Sequence, residues 1–302
     1  MKIYYGVENN YTDVTYIAKI KLLKNGLLKI PKNDVIRAQV LGDPIFGTVK
    51  HIKIEDRLYY QDEEIILEIP DEDLSQDRKN WWDKTGKHIK NDKEKLNSLH
   101  NYIALNHGNM KDEYPEQLMA IKYIKPTDTV LEIGGNIGRN TCVIASILDD
   151  DSRLLSLECS HEYAKQLEEN KIQNFFNFNI ENSALSKLPL IQKDWNTYIS
   201  EIILPGYTKV NVITFDEIKS KYGLNFNVLV ADCEGALYQI LKDEENFLEN
   251  IETIIIENDF TDYTKKQFVD DIFKQNGFKL IYIKSGGWGP CESCFYQVFS
   301  KN

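Results

Sequence analysis

No stretch of this chain is long and apolar enough to cross a bilayer. Its longest apolar runs, such as Ile144–Leu148 and Ile254–Ile256, fall far short of the roughly 20 residues that a spanning helix needs. The opening residues, MKIYYGVENN, lack the basic segment and following apolar run of a secretory signal. Basic charge is in short supply. There are 36 Lys and Arg against 47 Asp and Glu, a net charge of −11, which argues against a chain that clamps nucleic acid through its phosphates. Cysteines are few and odd in number: Cys142, Cys159, Cys233, Cys291 and Cys294. Most sit inside apolar strand or helix patterns, so they read as reduced thiols, and a cytoplasmic protein is expected. What is present is ordinary globular composition, 42% hydrophobic and 27% charged over 302 residues, enough for one large domain or two smaller ones.

Residues 1–72 read as a small all-β module. DVTYIAKIKLL and GTVKHIKI alternate, GLLKIP follows a glycine turn, and EEIILEIP closes the series, with turn signals at Asn25-Gly26, Pro31 to Asp34 and Gly42 to Pro44. Residues 73–100 are polar and lysine-rich and read as a linker or docking helix. The Trp81-Trp82 pair within it either stacks on a sugar ring or pins the linker to a domain. From residue 101 to 302 strand and helix patterns alternate, which predicts a mostly parallel sheet with helices on both faces. Ligands of such sheets sit at the C-terminal ends of the strands.

The strand TVLEIG breaks into glycines and then resumes as a helix. Its turn, Glu132-Ile133-Gly134-Gly135-Asn136-Ile137-Gly138, is not the nicotinamide fingerprint. Asn136 and Arg139 occupy the second and third glycine places, where their side chains would crowd a pyrophosphate. Glu132, at the strand end, would repel phosphates and suits a cationic ligand. The next strand ends in Glu158, placed to accept hydrogen bonds from two ribose hydroxyls. A ribose, a positive charge and no pyrophosphate together describe S-adenosylmethionine (SAM). The plain alternatives are a tight turn and an acid at a helix N-terminus.

On these residues the chain resembles the FkbM family of SAM-dependent methyltransferases, from about Tyr114 onward. VLEIGGNIGRN is similar to the family's first motif, with Glu132 for its usual Asp and Gly135 for its usual Ala. LLSLECSHEYAKQLEEN is similar to its second, ENSALS to its third and VNVITFDEI to its Val-x-Thr-Leu-Asp segment. Asp232, Glu234 and Gly235 stand in its Asp-x-Glu-Gly signature, and Glu257 at the end of its next strand. Two positions depart, Val230 for a lysine and Leu237 for an acid, so acceptor recognition is expected to differ. The resemblance implies an α/β fold: the seven-stranded Rossmann-like class I methyltransferase sheet, with an antiparallel C-terminal hairpin. It implies SAM as cofactor and Tyr114, Glu116, Glu132, Gly134, Gly135, Asn136, Gly138, Asn140, Glu158, Cys159, Ser183, Ala184 and Asp232 as its cofactor-binding residues. It implies O-methylation of a sugar, glycan or other polyhydroxylated acceptor.

A hydroxyl is a poor nucleophile until its proton is removed, so a general base is expected. The candidates are Asp232, Glu234, Glu257 and His107; Asp232 and Glu234 otherwise bind the methionine amine and cap a helix from Gly235. Three acids at the strand ends could also hold a magnesium ion, but the spacing is not diagnostic and no metal ligand is assigned. Cys291 and Cys294 have the spacing of half a zinc site, with no second half. Trp288 either faces the acceptor or closes the final hairpin, and the aromatic insert Ser186–Lys209 either shapes the acceptor pocket or is a packed excursion. Thr214 and Glu217 fit a capping box. Two other function classes remain weighed: a nicotinamide-dependent oxidoreductase, and a non-catalytic glycan-binding or assembly protein. A homo-oligomer formed through the β module is open.

Overall fold

The structure, a computed structural model, describes residues 1–24, 26–69, 79–80, 82–83 and 85–301. The chain divides into two units, residues 1–104 with 173–175, and residues 105–172 with 176–302.

The first unit is not all-β. Strands β1 (Ile3–Val7), β2 (Asn10–Asp13), β5 (His51–Ile54) and β6 (Arg57–Tyr59) form one antiparallel sheet in the order β2-β1-β5-β6. Strands β3 (Leu23–Lys24), β4 (Leu27–Ile30) and β7 (Ile65–Glu68) form another. Along the chain, helix α1 (Thr15–Leu22) follows β2 and helix α2 (Asp34–Leu41) follows β4. The α1 sequence satisfies two periods at once. Tyr16, Ala18, Ile20 and Leu22 alternate, whereas Val14, Ile17 and Ala18 repeat at helical spacing; those three and Ile20 bury, and Tyr16 and Leu22 stay partly exposed. Asn33, read as a turn residue, is the N-cap of α2 and accepts the N–H of Val35 at 2.8 Å. Helix α3 (Asp92–His100) also belongs to this unit. Trp81 lies outside the described residues; Trp82 is buried and presents no ring face to solvent.

The second unit carries a seven-stranded mixed sheet. Its strands are β8 (Val130–Ile133), β9 (Leu154–Leu157), β10 (Asn179–Glu181), β16 (Val228–Ala231), β17 (Thr253–Glu257), β18 (Lys279–Lys284) and β19 (Tyr296–Ser300). The order is β10-β9-β8-β16-β17-β19-β18. The first five run parallel, and β19 lies antiparallel between β17 and β18. Strands β8, β9 and β16 are buried along their whole length, as their largely apolar sequences require; the polar exceptions, Glu132 and Ser156, are bonded to each other. The helices are α4 (Tyr114–Tyr123), α5 (Arg139–Ile147), α6 (His161–Gln173), α7 (Phe215–Tyr222), α8 (Leu237–Asp243) and α9 (Tyr263–Gln275). Thr214 and Glu217 form the capping box of α7.

After β10 come β11 (Ala184–Leu185), which pairs with β15 (Val212–Ile213), and an insert of three strands. These are β12 (Leu190–Lys193), β13 (Asn196–Ile199) and β14 (Thr208–Val210). The insert is anchored to the sheet side by Trp195, whose ring stacks on Tyr163 of α6 with centroids 5.1 Å apart. The chain runs outward from β8 through β9 and β10, then returns to β16 on the other side of β8. That reversal opens a crevice at the C-terminal ends of β8 and β16.

Candidate functional site

The turn after β8 folds back on its neighbours. The N–H groups of Gly134 and Gly135 both donate to the carbonyl of Leu157, at 2.9 and 3.0 Å. Asn136 adopts a left-handed conformation, φ 48°, and its N–H donates to Glu158 Oε2 at 2.8 Å, while the Ser160 N–H donates to Glu158 Oε1 at 2.7 Å. The Glu158 carboxylate is thereby fixed at the end of β9, with a lone pair left on each oxygen. Burial raises its pKa, and the N–H groups of Ser160 and Asn136 pull it back. A Cβ on Gly134 would overlap the carbonyl oxygen of Asp232, and one on Gly135 would overlap Ser156 Oγ. The chain's own packing therefore demands these two glycines before any ligand is considered. Gly138 stands at the start of α5 as its N-cap.

Glu132 is not held out for a cation. It is 2% exposed, and it accepts from Thr141 Oγ1 at 2.5 Å, Ser156 Oγ at 2.7 Å and Asn140 Nδ2 at 3.3 Å. Burial pushes its pKa up to about 7 against the pull of the Ser156 and Thr141 hydroxyls. Its carboxylate links β8 to α5 and β9.

Three other carboxylates do converge. Glu116 on α4, Asp232 just after β16 and Glu257 at the end of β17 place oxygens within 4.8 Å of one another. They line a cavity with Glu113, Glu132 and Asn140, closed on its apolar side by Met119, Val230 and Ile255; none of the described residues lining it is Lys, Arg or His. Among the described residues, five buried side-chain oxygens in this region receive no N–H or hydroxyl: Glu116 Oε2, Glu257 Oε2, Asn258 Oδ1, Asp259 Oδ2 and Asn140 Oδ1. Burial and the neighbouring Glu116 push Glu257 up to about 12. Burial, then the charges of Asp259 and Glu113, raise Asp232 well above the carboxylate range. Burial and Glu234 bring Asp259 to about 7. The antiparallel register sets Tyr296 opposite Glu257, and burial with these acids raises the Tyr296 phenol. Arg139 is the cation nearest in sequence to the turn, and it is already engaged. It contacts Glu113 Oε1 at 2.7 Å, Asp112 at 3.5 Å and the Asn109 carbonyl at 3.2 Å.

The remaining candidates lie apart from this cluster. His107 is tied to Glu169 of α6 at 2.5 Å and does not line the cavity. Glu234 is exposed and left-handed, φ 51°, followed by Gly235 at 76°. Helix α8 begins at Leu237 rather than Gly235 and has no side-chain cap, so Glu234 does not cap it. Tyr114 opens α4. Cys159 is half-buried, and burial beside the Glu158 charge pushes its thiol up to about 12. Ser183 donates to Glu181 at 2.9 Å, and Ala184 begins β11. Cys291 and Cys294 are buried free thiols. Trp288 is 70% exposed, so it does not close the hairpin by packing. Glu113 and Asp259 escaped the sequence reading. Asp259 was findable, because alternation from Glu257 carries it to the same face; Glu113 becomes visible only once Arg139 reaches it.

With this geometry in view, comparison with known proteins decides the family. The model of the methyltransferase FkbM domain matches residues 79–280, more than half of the chain. The chain belongs to this family. It is a methyltransferase, and its methyl donor is SAM. No curated protein sequence matches it. Among solved structures it is similar to an O-methyltransferase from Bacillus cereus in complex with SAH. Identity there is 15%, over 73% of this chain and 94% of that one, with a TM-score of 0.38. It is also similar to the ribosomal protein L11 methylase of Lactobacillus delbrueckii subsp. bulgaricus, at 14% identity over 61% and 75%, with a TM-score of 0.38.

Proposed function

We propose that this FkbM methyltransferase methylates a hydroxyl of a sugar, glycan or related polyhydroxylated acceptor. The observation that carries the reading is the set of buried, unpartnered oxygens at the strand ends. An ionised carboxylate or an amide oxygen accepts, a protonated Glu257 also donates, and the hydroxyls of a neutral polyol can answer both. The same acidity repels phosphodiester backbones.

SAM supplies a methyl group already activated by its sulfonium. The fixed Glu158 carboxylate would hold its ribose hydroxyls, the Gly134–Asn136 backbone and Tyr114 the methionine side, and Cys159, Ser183 and Ala184 the adenine side. Asp232, beside the Gly134 turn, takes the hydroxyl proton. The exposed Trp288 offers a face on which a sugar ring stacks. The test is incubation with SAM and a panel of nucleotide sugars and free glycans, read by mass spectrometry for one added methyl. Asp232→Asn should lower turnover by about 10²–10⁴-fold with SAM affinity kept. Methyl transfer to nitrogen alone, or an equal loss of SAM affinity and turnover in Asp232→Asn, would overturn the reading.

A further inference from the structure

We propose that Glu116, Asp232 and Glu257 form a binding site for one hard divalent cation of the magnesium or calcium type, completed by hydroxyl oxygens of the acceptor. This rests on the methyltransferase reading and reassigns Glu116 and Asp232 from the cofactor to an ion. The first support is distance. Ligands on opposite sides of a magnesium ion stand about 4.2 Å apart, and of a calcium ion roughly 4.6–5.2 Å. The three carboxylate oxygens all lie within 4.8 Å of one another, so one ion can touch all three.

The second support is a side chain that is not an acid. Asn140 is 8% exposed, lines the same cavity and has an Oδ1 with no partner. Its amide orientation is fixed, because Nδ2 is already given to Glu132. An amide oxygen held out of water without a donor costs about 1–3 kcal/mol, and coordination of an ion removes that cost. Glu116, 7% exposed, likewise leaves Oε2 unpartnered.

Charge and space agree. Glu113, Glu116, Asp232 and Glu257 face one cavity, and Arg139 is spent on Glu113 and Asp112. Without an ion these acids hold protons instead, as the raised Glu257 and Asp232 show; ionised, they would carry more negative charge than the single net positive charge of SAM opposes. The cavity holds about 10 Å³, room for one water or ion. Its donors are all oxygen, which selects magnesium, calcium or manganese over zinc or copper. An ion there would bind two neighbouring hydroxyls of a polyol and make the bound hydroxyl more acidic. Asp232 can give the ion one oxygen and keep the other for the proton.

The experiment starts from the full chain treated with EDTA and desalted. It is titrated by calorimetry with MgCl₂, CaCl₂ and MnCl₂, and separately with SAM. One cation per chain is expected, weakened at least about ten-fold in Glu257→Gln and in Glu116→Gln. Terbium gives a readout that spares the ligands: bound beside Tyr296 it should be sensitised by that phenol, and Tyr296→Phe should dim the emission at unchanged stoichiometry. Three results overturn the inference. One is wild-type protein that binds SAM but none of the three cations. Another is a folded Glu257→Gln that binds manganese as wild type does. The third is terbium emission indifferent to Tyr296→Phe. Cation binding without SAM binding would instead overturn the methyltransferase assignment and leave the ion site standing.

Discussion

Asn136 and Glu158 are joined by a 2.8 Å hydrogen bond from backbone N–H to carboxylate. The turn after β8 thus aims the acid after β9, and the two sequence motifs act as one piece of the site. Removing the carboxylate should leave the fold and unpair two ribose hydroxyls. Glu158→Ala is expected to weaken SAM binding by about 1–3 kcal/mol, roughly 5–150-fold. Calorimetry checks it, and unchanged affinity would remove Glu158 from the cofactor site.

The close approach of Gly134 to the Asp232 carbonyl sets a second expectation. With φ at 91° and backbone oxygen in the way, Gly134→Ala should cost about 1–3 kcal/mol or more and lower the Tm. Gly223→Ala is the matched control. Its φ is 64° and nothing lies within 4 Å, so it should cost only about 1 kcal/mol. Equal Tm losses in the two variants would show that the contact with Asp232 does not matter.

Glu132 makes stability depend on pH. Its pKa in the folded chain is raised from 4.5 to about 7. Between those values the unfolded chain has released the proton and the folded chain still holds it. The contribution of Glu132 to stability therefore falls as pH rises from 4.5 to about 7, and stays low above that. Glu132→Gln keeps the shape and cannot ionise. Denaturant melts should show the variant gaining on wild type at pH 8 relative to pH 5. A difference independent of pH would mean that Glu132 is ionised in the fold throughout.

Much of the second unit is legible because its central parallel strands are buried on both faces and so read as largely apolar runs, broken only by Glu132 in β8 and Ser156 in β9. The first unit is not, since Tyr16 to Leu22 fits a strand and a helix equally and only packing chooses. The site divides in the same way. Asp232 and Glu257 end strands and can be named from sequence. Glu116 is named from sequence only through the family resemblance, as a cofactor residue; its place beside Asp232 and Glu257 appears only once α4 carries it against them. The sequence shows Glu132 as an acid at a strand end, but not that Asn140, Thr141 and Ser156, on two other elements, hold its carboxylate. His107 looked catalytic in a polar loop, and the fold spends it on Glu169.

Arg139 begins α5 at the glycine turn, yet its guanidinium contacts all go to the segment 109–113. Movement of that segment away from the turn would break these contacts together rather than in succession. Release of that segment would therefore strip the Arg139 guanidinium of its carbonyl and both carboxylates at one stroke, leaving an unopposed cation beside the glycine turn.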